Sequence, residues 1–563
     1  MSETINEPEP EVHSCDIPEL RLSRYLYIGK EYLNYQSGNW FAHNYYEVNK
    51  VPSIIELAMS KKKHEYVVEL IQKAFQSNLV PNPETLVFAL AVCVKQDKCE
   101  SLRTKAYNLV SYICAKPQHF FLFIKFVSEL SKTELKKSGG WGHGLKNAVC
   151  KWYTKTNSLD LAEKVTQYRG KYGWTHKDII KLSHIRPTTA VGFNFILKYI
   201  MYGLETAKKE ASCQTKNKVP TFTCVQSILE YIEDVEAFKH CEDEHCAAAL
   251  IEKQKLQLEH VPSHLIKSEE VWNSLIPLMD LSTLLNNLQR IHNMKMLKPN
   301  SLTVAKIIDE ITNEENIKKA KIHPIAVLIA LRNYESSGRP LSYEKRKVRE
   351  EAKKPLPPPP KPNQTIVEAL NKMLNLSWAN VNNSTKRYMI TINVSKSMLE
   401  NKTWHNGNIN PVEAGCIIAL SLSRSSPSVV IATYNNNTVQ EVDIPKTATL
   451  PDVMKLLVEA QHGNVRLSSP ITWAMSQKRE IDVFINVVEQ IDPKVEPQES
   501  YNSRNAIEDY RNEMSISNAK LINCAMCSPK VPRHKHEDPN ILTTCGFDIG
   551  VPMVIEAFVE SLF

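Results

Sequence analysis

The sequence predicts two regions of different fold class: an all-α, repeat-built helical region, followed by an α/β domain with a doubly wound, mostly parallel sheet. Two observations lead to this prediction. From residue 17 to about residue 340, apolar residues recur at helical spacing between short polar loops. After Asn363, short apolar segments of strand length alternate with helical segments long enough for crossover connections.

Size and composition point to a globular protein with more than one hydrophobic core, because the chain has 563 residues of which 42% are hydrophobic. The first eleven residues are polar and acidic, and no apolar run reaches the roughly 18 residues that a membrane span requires. We therefore expect an intracellular protein without membrane association, located in the cytoplasm with the nucleus as an additional location. Thirteen cysteines without a repeated spacing indicate reduced thiols.

The first region is expected to extend over residues 17–350, after a flexible N-terminus at residues 1–16. Helical spacing is clearest at residues 83–93 and 120–126. The helical segments show no fixed period, so a solenoid of irregular helical pairs is a hypothesis. Residues 351–385 are predicted to be a linker, because the prolines at 355–362 favour an extended polyproline conformation.

The α/β domain is predicted for residues 386–563. Its strands are expected at residues 388–394, 429–434, 482–488 and 520–524, and its helices at 411–422, 450–461, 505–514 and 552–562. Sheets of this class bind ligands at the carboxyl ends of their strands. The polar turn that follows the first strand, from Asn393 to Ser397, is therefore a candidate site.

This turn resembles a cation-binding site in which a neutral side chain replaces the charged ligand. A strand that ends in Asp-x-Ser-x-Ser provides one carboxylate and two hydroxyls to a hard metal ion. Here Ser395 and Ser397 supply the hydroxyls, but Asn393 replaces the carboxylate with a neutral amide. A second metal candidate combines Cys524 and Cys527 with two histidines, His534 and His536. We favour the interpretation that Cys524 and Cys527 are a pair of free thiols at the end of a strand. We expect no cofactor in this protein.

Charge is distributed unevenly along the chain. Residues 386–563 contain 17 Lys and Arg against 20 Asp and Glu, whereas residues 1–385 contain 52 against 42. Residues 136–186 alone contain 11 Lys and Arg against 3 Asp and Glu. Such a concentration of cations is typical of a surface that binds a polyanion. The alternative interpretation is a set of ordinary solvated helix faces.

Several segments of the helical region resemble the TROVE module of the Ro ribonucleoprotein autoantigen family. They are Trp-Gly-His-Gly-Leu-Lys-Asn-Ala at residues 141–148, Tyr-Gly-Trp-Thr-His-Lys-Asp-Ile-Ile-Lys-Leu-Ser-His at 172–184 and Ala-Lys-Ile-His-Pro at 320–324. The turn at 393–397 and Cys-Gly-Phe-Asp at 545–548 resemble the von Willebrand factor type A domain with which that family ends. The order and spacing of these segments agree over nearly the whole chain.

The resemblance implies a ring of HEAT-like helical repeats that is closed by a von Willebrand factor type A-like domain. It also implies an RNA-binding ribonucleoprotein component that is not an enzyme. In that family small noncoding Y RNAs bind on the outer face, and the 3′ ends of misfolded RNA enter a central hole for RNA quality control. The implied partners are therefore Y RNA and misfolded RNA, together with protein partners at the von Willebrand factor type A-like domain.

His176 matches the RNA-contacting histidine of the family. With Lys171, Lys177 and Lys181 it is expected to face one side of a helix and its preceding turn, where cations meet phosphates and an imidazole contacts a base. His143 stands where the family has an arginine, which makes that contact sensitive to pH. The complete predicted RNA-binding set is His143, Lys146, Arg169, Lys171, His176, Lys177 and Lys181.

Two further departures from the family affect the metal site. Val465 replaces a metal-binding threonine, and Glu489 stands where the family has an aspartate. Together with Asn393 they leave Ser395 and Ser397 without good partners for a divalent ion, so we expect no bound magnesium.

Two other function classes are alternatives to RNA binding. The first is a protein-interaction scaffold of helical repeats that has lost both RNA and metal binding. The second is an enzyme, which is disfavoured because the sequence has no Gly-rich phosphate loop and no Ser/His/Asp motif.

Overall fold

The computed structural model describes residues 17–38, 46–60, 63–132, 141–214, 222–336, 361–491, 501–529 and 538–563. Several predictions fall outside these residues. They are the flexible N-terminus at 1–16, the first six residues of the proline-rich run at 355–362, and the two histidines of the second metal candidate, His534 and His536.

The helical region has eighteen α-helices among its described residues, most of them seven to sixteen residues long. They are α1 Pro18–Ile28, α2 Pro52–Met59, α3 His64–Ser77, α4 Glu84–Lys95, α5 Glu100–Ile113, α6 Pro117–Lys132, α7 His143–Lys155, α8 Ser158–Gln167, α9 His176–Ser183, α10 Val191–Tyr202, α11 Leu204–Gln214, α12 Phe222–Lys239, α13 Glu244–Gln254, α14 Glu269–Leu275, α15 Leu281–Asn293, α16 Leu302–Thr312, α17 Glu314–Ala320 and α18 Pro324–Glu335.

Alternate helices of this region stack on each other in rows. In the first half, α1 packs on α3, α3 on α5, α5 on α7 and α7 on α9, while α4 packs on α6 in the adjoining row. Two rows of stacked helices are the arrangement expected of a helical solenoid, in which each pair buries its apolar surface against its neighbours. The prediction of an all-α, repeat-built region is confirmed.

The C-terminal region is a seven-stranded α/β domain. Its strands are β4 Tyr388–Ile392, β5 Val429–Asn435, β6 Thr438–Glu441, β7 Val483–Val488, β8 Lys520–Ala525 and β9 Ile541–Cys545, joined by β1 Asn34–Gln36 from the other end of the chain. The helices are α19 Gln364–Ser377, α20 Lys396–Glu400, α21 Pro411–Ser425, α22 Leu450–Glu459, α23 Ser469–Ser476, α24 Ser503–Glu513 and α25 Val551–Val559.

The strand order is β1-β9-β8-β7-β4-β5-β6, and every pair is parallel except β5 with β6. All residues of β4, β7 and β8 are buried, as expected of parallel strands covered on both faces. The predicted doubly wound, mostly parallel sheet is therefore confirmed. A two-stranded hairpin, β2 Gly170–Lys171 with β3 Trp174–Thr175, forms a second, separate sheet.

The first strand of the large sheet corrects the predicted domain boundary. β1 pairs with β9 in parallel register, with Asn34 opposite Thr543 and Gln36 opposite Cys545. Residues 34–36 therefore belong to the C-terminal sheet, although they were assigned to the helical domain. The three residues Asn-Tyr-Gln have no apolar alternation, and their hydrogen-bonding partner lies some 500 residues away in the sequence.

The predicted linker at residues 351–385 is wrong at Gln364–Ser377. This segment forms α19, which packs against α16 and α18 and buries Ile366, Leu370 and Met373. Asn363 caps the helix, because its side-chain oxygen accepts a hydrogen bond from Thr365 N at 3.0 Å. The proline run ends immediately before this cap, so polyproline geometry does not extend into residues 364–377.

Both ends of the helical region contact the α/β domain. At the C-terminal end, Arg332 of α18 donates two hydrogen bonds to Glu413 Oε1 on α21, at 2.8 and 2.6 Å. At the N-terminal end, the ring of Tyr27 on α1 stacks on Phe563 with the ring centroids 5.4 Å apart. The contacts therefore form a closed circuit from one end of the helical region through the α/β domain to the other. Among the described residues, no helix combines the length and apolar character needed to cross a bilayer.

Candidate nucleic-acid interface

The hairpin β2–β3 and helix α9 form the centre of the predicted interface. Tyr172 and Gly173 both have positive φ, 55° and 81°, as the two-residue turn of a tight hairpin requires. Thr175 then caps α9: its hydroxyl accepts from Asp178 N at 3.2 Å, and Asp178 Oδ2 accepts from Thr175 N at 3.2 Å. The hairpin and this capping box together determine where α9 begins.

His176 lies in the core and not on the surface. Its side chain is 2% exposed and packs against the rings of Phe121 and Trp152, with centroid distances of 4.7 and 6.1 Å. The Tyr153 hydroxyl is 2.6 Å from His176 Nδ1. The prediction that His176 shares an exposed helix face with the lysines is therefore wrong, because the helix directs position 176 towards the same side as its buried Ile179 and Ile180. An RNA contact at His176 stays a prediction.

Burial also determines the charge state of His176. Desolvation lowers the pKa of this imidazole to about 3, so the ring is neutral at physiological pH. Within the described residues, Nε2 has no hydrogen-bond partner. A neutral, buried ring supports the packing of α9 and offers no charge to phosphate.

The lysines of α9 occupy its exposed face. Lys177 and Lys181 are separated by one helical turn, and both are exposed. Arg169, just before the hairpin, is also exposed, and Lys171 is half-buried with Nζ 5.3 Å from the ring centroids of both Tyr168 and Tyr172. These four predicted cations are accessible from solvent, whereas the histidine predicted with them is not.

The other two predicted residues lie at the start of α7. His143 is exposed, with Nε2 3.0 Å from Asn147 Nδ2, and Lys146 is half-buried. The indole rings of Trp141 and Trp174 connect this helix start to the hairpin, since their centroids are 6.0 Å apart and both rings pack on the hydrophobic core. The structure thus brings six of the seven predicted residues to one continuous region.

An aromatic residue that was not predicted adds to this region. Tyr172, at the tip of the hairpin, has a 38% exposed side chain, and Lys125 Nζ of α6 lies 5.8 Å from its ring centroid. An exposed ring flanked by lysines can stack on a base while the ammonium groups contact phosphates. The signal that could have identified it is the Tyr-Gly pair, which is typical of a turn that displays its first side chain.

Among the described residues, the cations of residues 141–186 have few carboxylate neighbours, although the charge of Arg169 helps to lower the pKa of Glu236. In the parts of the chain that the structure describes, no ion pair involves any of them, although pairs occur on both sides of this stretch, at Lys125 and Lys208. The nine cations are Lys146, Lys151, Lys155, Lys164, Arg169, Lys171, Lys177, Lys181 and Arg186, against Asp160, Glu163 and Asp178. The region therefore carries a positive potential available to an anionic ligand.

The degenerate metal site lies at the carboxyl end of β4. Asn393 Oδ1 accepts from Ser395 N at 3.0 Å, and the hydroxyls of Ser395 and Ser397 are 3.1 Å apart. Both oxygens of Glu489 accept hydrogen bonds, from Ser397 Oγ at 2.5 Å and from Asn401 Nδ2 at 2.7 Å.

These residues do not fit a divalent cation. The only carboxylate of the group, that of Glu489, is already hydrogen-bonded through both oxygens, and Asn393 contributes a neutral oxygen. Val465 is apolar and packs against a small cluster that includes Tyr434 and Leu467. No cluster of three or more metal-ligating His, Cys, Asp or Glu side chains occurs among the described residues.

Two family models match the chain. The model described as the TROVE domain matches residues 42–354, and the model described as the Ro60 vWA domain matches residues 387–559. The chain is 25% identical to an RNA-binding protein RO60 of Caenorhabditis elegans, over 96% of this chain and 88% of that protein. It is 22% identical to the RNA-binding protein RO60 of Deinococcus radiodurans, over 96% and 93%. The crystal structure of the Deinococcus radiodurans RO (RSR) protein has the same fold, with a TM-score of 0.78, 22% identity and coverage of 97% of this chain and all of that one.

Proposed function

Because the chain belongs to the TROVE-domain family and ends in a domain of the Ro60 vWA type, we propose that it is an RNA-binding protein without catalytic activity. The observation that carries this proposal is the set of accessible cations without ion pairs on α7, α8, α9 and the β2–β3 hairpin. Their spread over four neighbouring elements suits the phosphates of a folded RNA.

The chemistry of the surface suits RNA in two ways. Lysine and arginine side chains such as Lys177, Lys181 and Arg169 contact phosphates without reading the base sequence. The exposed ring of Tyr172 provides a stacking platform for an unpaired base. Binding of this kind releases counterions, so its affinity falls steeply as salt rises.

We propose further that the RNA partners are small noncoding RNAs of the Y class on the outer surface and misfolded RNAs whose 3′ ends enter a central hole. This assigns the protein to RNA quality control. The closed circuit of contacts through Arg332–Glu413 and Tyr27–Phe563 supports a ring with a hole. The alternative, a helical scaffold that binds proteins and has lost RNA binding, is one outcome of the test.

The test is binding of the full-length protein to a Y-like stem-loop RNA across a salt series. Wild type is compared with a Lys177→Gln/Lys181→Gln variant, which removes two exposed charges from α9. The matched control is Lys318→Gln/Lys319→Gln, which removes two exposed charges from α17 at the far end of the helical region. Each lost phosphate contact reduces the slope of log K against log salt by about 1.

We expect the α9 variant to bind more weakly with a slope lower by about 2, and the α17 variant to bind as wild type. Equal weakening by both variants would mean that only net charge matters and that the proposed surface is wrong. Binding by wild type that is weak and insensitive to salt would favour the scaffold alternative.

A further inference from the structure

Two cysteines, Cys241 and Cys246, lie at the junction between α12 and α13. The junction runs His-Cys-Glu-Asp-Glu-His-Cys from residue 240 to residue 246. Cys241 is half-buried and Cys246 is exposed, and both are free thiols. Both sulfur atoms are therefore within reach of a small reagent from the solvent.

The cap of α13 brings the two cysteines together. Asp243 is the N-cap residue, and its Oδ1 accepts from the backbone amides of His245 at 2.8 Å and of Cys246 at 3.4 Å. Cys241 Sγ donates to the carbonyl oxygen of Asp243 at 3.1 Å. The residue two positions before the cap and a residue of the first turn thus share one capping residue. Their side chains meet there, with a hydrogen bond between the two thiols.

Contacts with the start of α14 hold this junction in place. His264 Nε2 lies 2.8 Å from the carbonyl oxygen of Cys241. The hydroxyl of Ser268, which is the N-cap residue of α14, donates to the Glu244 carboxylate in the first turn of α13. The backbone on both sides of the cap is therefore fixed, and two thiols that already touch can be joined with little movement of the chain.

The ligand geometry of the junction does not suit a metal ion, although its sequence contains two histidines and three carboxylates besides the cysteines. In the part of the chain that the structure describes, no three ligating His, Cys, Asp or Glu side chains converge on a common point. A structural zinc ion requires four such ligands. Two sulfur atoms in mutual contact are instead the arrangement from which a disulfide forms.

The charges around the pair favour an uncharged oxidant. The carboxylates of Glu242, Asp243 and Glu244 are exposed, and their negative charge opposes the approach of an anionic thiol such as glutathione. Hydrogen peroxide carries no charge and is not repelled. The contact with Cys241 raises the pKa of the Cys246 thiol, and the charge of Asp243 adds to this effect. The thiolate is then a minor species at neutral pH, so the reaction with peroxide is slow.

We propose that Cys241 and Cys246 are a site of reversible oxidation, at which hydrogen peroxide converts the two thiols into a disulfide. The Cys246 thiolate attacks the O–O bond, which gives a sulfenic acid and, with one proton, a water molecule. The Cys241 thiol then attacks the sulfenic sulfur, which forms the S–S bond and releases a second water. In total, two thiols lose two electrons and two protons, and one peroxide is reduced to two waters. The bond ties the chain after α12 to the first turn of α13.

The experiment is peroxide treatment of the full-length protein, followed by alkylation of the remaining thiols, trypsin digestion and mass spectrometry. Cleavage after Lys239 and Lys253 places both cysteines in one peptide, residues 240–253. A disulfide within this peptide makes it lighter by two hydrogen atoms and prevents its alkylation. The variants are Cys241→Ser and Cys246→Ser, which keep a hydroxyl at these accessible positions, and thermal unfolding verifies that both are folded. Cys150, half-buried on α7, is the reference thiol within the same sample.

We expect peptide 240–253 of wild type to lose two hydrogen atoms, to regain them with dithiothreitol, and to show neither change in the two variants. Cys150 should remain open to alkylation under the same treatment. Oxidation of Cys150 before the pair would contradict the proposal. Sulfinic acid at Cys246 or a disulfide between two molecules, without the intrapeptide bond, would overturn it as well. None of these outcomes depends on whether the protein binds RNA.

Discussion

The hydroxyl of Tyr153 lies 2.6 Å from Nδ1 of His176, and both side chains are buried beneath a helix whose other face carries Lys177 and Lys181. Two neighbouring residues, His176 and Lys177, thus have different tasks. The histidine holds α9 on the core, and the lysine is available to an RNA. The TROVE-like sequence around them does not reveal this division, because the residues are adjacent in the chain.

Replacement of His176 by serine is expected to destabilise the protein and to leave the proposed RNA-binding surface chemically intact. The change removes a ring that packs on Phe121 and Trp152 and leaves the Tyr153 hydroxyl without its partner. The cost should be about 2–4 kcal/mol of the free energy of unfolding. Thermal unfolding and RNA binding at low temperature measure the two effects separately. A large loss of affinity in a protein that melts like wild type would contradict this assignment.

The protein is expected to lose stability as pH falls from 7 to 5, in part through His176. The folded-state pKa is about 3 and the unfolded value about 6.5, so the unfolded chain takes up a proton that the native state does not. The stabilising effect is present above pH 6.5 and is lost as pH falls towards 3, by about 2 kcal/mol at pH 5. Unfolding at both pH values should show a smaller loss for His176→Gln than for wild type. His184→Gln, at an exposed position, is the control and should behave as wild type.

The N-terminal strand should depend on Asp548. This carboxylate accepts from the Tyr35 hydroxyl at 3.0 Å, from Gly38 N at 2.9 Å and from Gly550 N at 2.9 Å. Tyr35→Phe removes one of these bonds and should cost about 1 kcal/mol, whereas Asp548→Ala leaves three donors unpaired and should cost about 3 kcal/mol. Limited proteolysis at residues 17–38 and thermal unfolding measure the difference. Equal effects of the two variants would show that the carboxylate does not anchor the strand.

The contact between α18 and α21 should behave as a buried ion pair. Glu413 is 5% exposed at its side chain and depends on Arg332 for its positive partner. Arg332→Met therefore leaves a carboxylate buried without a cation, at a cost of about 3–5 kcal/mol. The double variant Arg332→Met/Glu413→Leu should recover most of that stability. Unfolding of both single variants and the double variant gives the coupling free energy, and simple additivity would argue against the pair.

Magnesium is expected to give no saturable heat of binding in calorimetry, because Asn393 is neutral, Val465 supplies no oxygen, and the Glu489 carboxylate is already hydrogen-bonded to Ser397 and Asn401. Restoring aspartate, threonine and aspartate at these three positions should create a binding signal. A stoichiometric signal in wild type that disappears in Ser395→Ala would show instead that the hydrogen-bonded site opens for the ion.

Sequence reasoning was accurate where a signal repeats along the chain. The buried strands β4, β7 and β8 are largely apolar runs of strand length, and the helices of the first region have apolar residues at helical spacing. The predictions were inaccurate where the fold depends on a single residue or on a short segment. Asn34–Gln36 has no period long enough to recognise, and α19 was assigned to a linker because it follows a run of prolines.

The candidate interface shows the same limit. Six of the seven predicted side chains reach one accessible region, as their local density led us to expect, and their contact with RNA stays a prediction. The orientation of His176 was predicted wrongly, because the motif places it next to Lys177, while the helix turns the two side chains about 100° apart.

The sequence by itself determined the two fold classes, the excess of positive charge at residues 136–186 and the replacement of one metal-site carboxylate by the Asn393 amide, because each depends only on residue type and local spacing. Only the tertiary structure decided that His176 is buried, that β1 pairs with β9, and that Glu489 is held by Ser397 and Asn401. These three outcomes depend on which distant surfaces meet when the chain folds. The free energy of such contacts is a property of the packed molecule and has no signature in a local stretch of sequence.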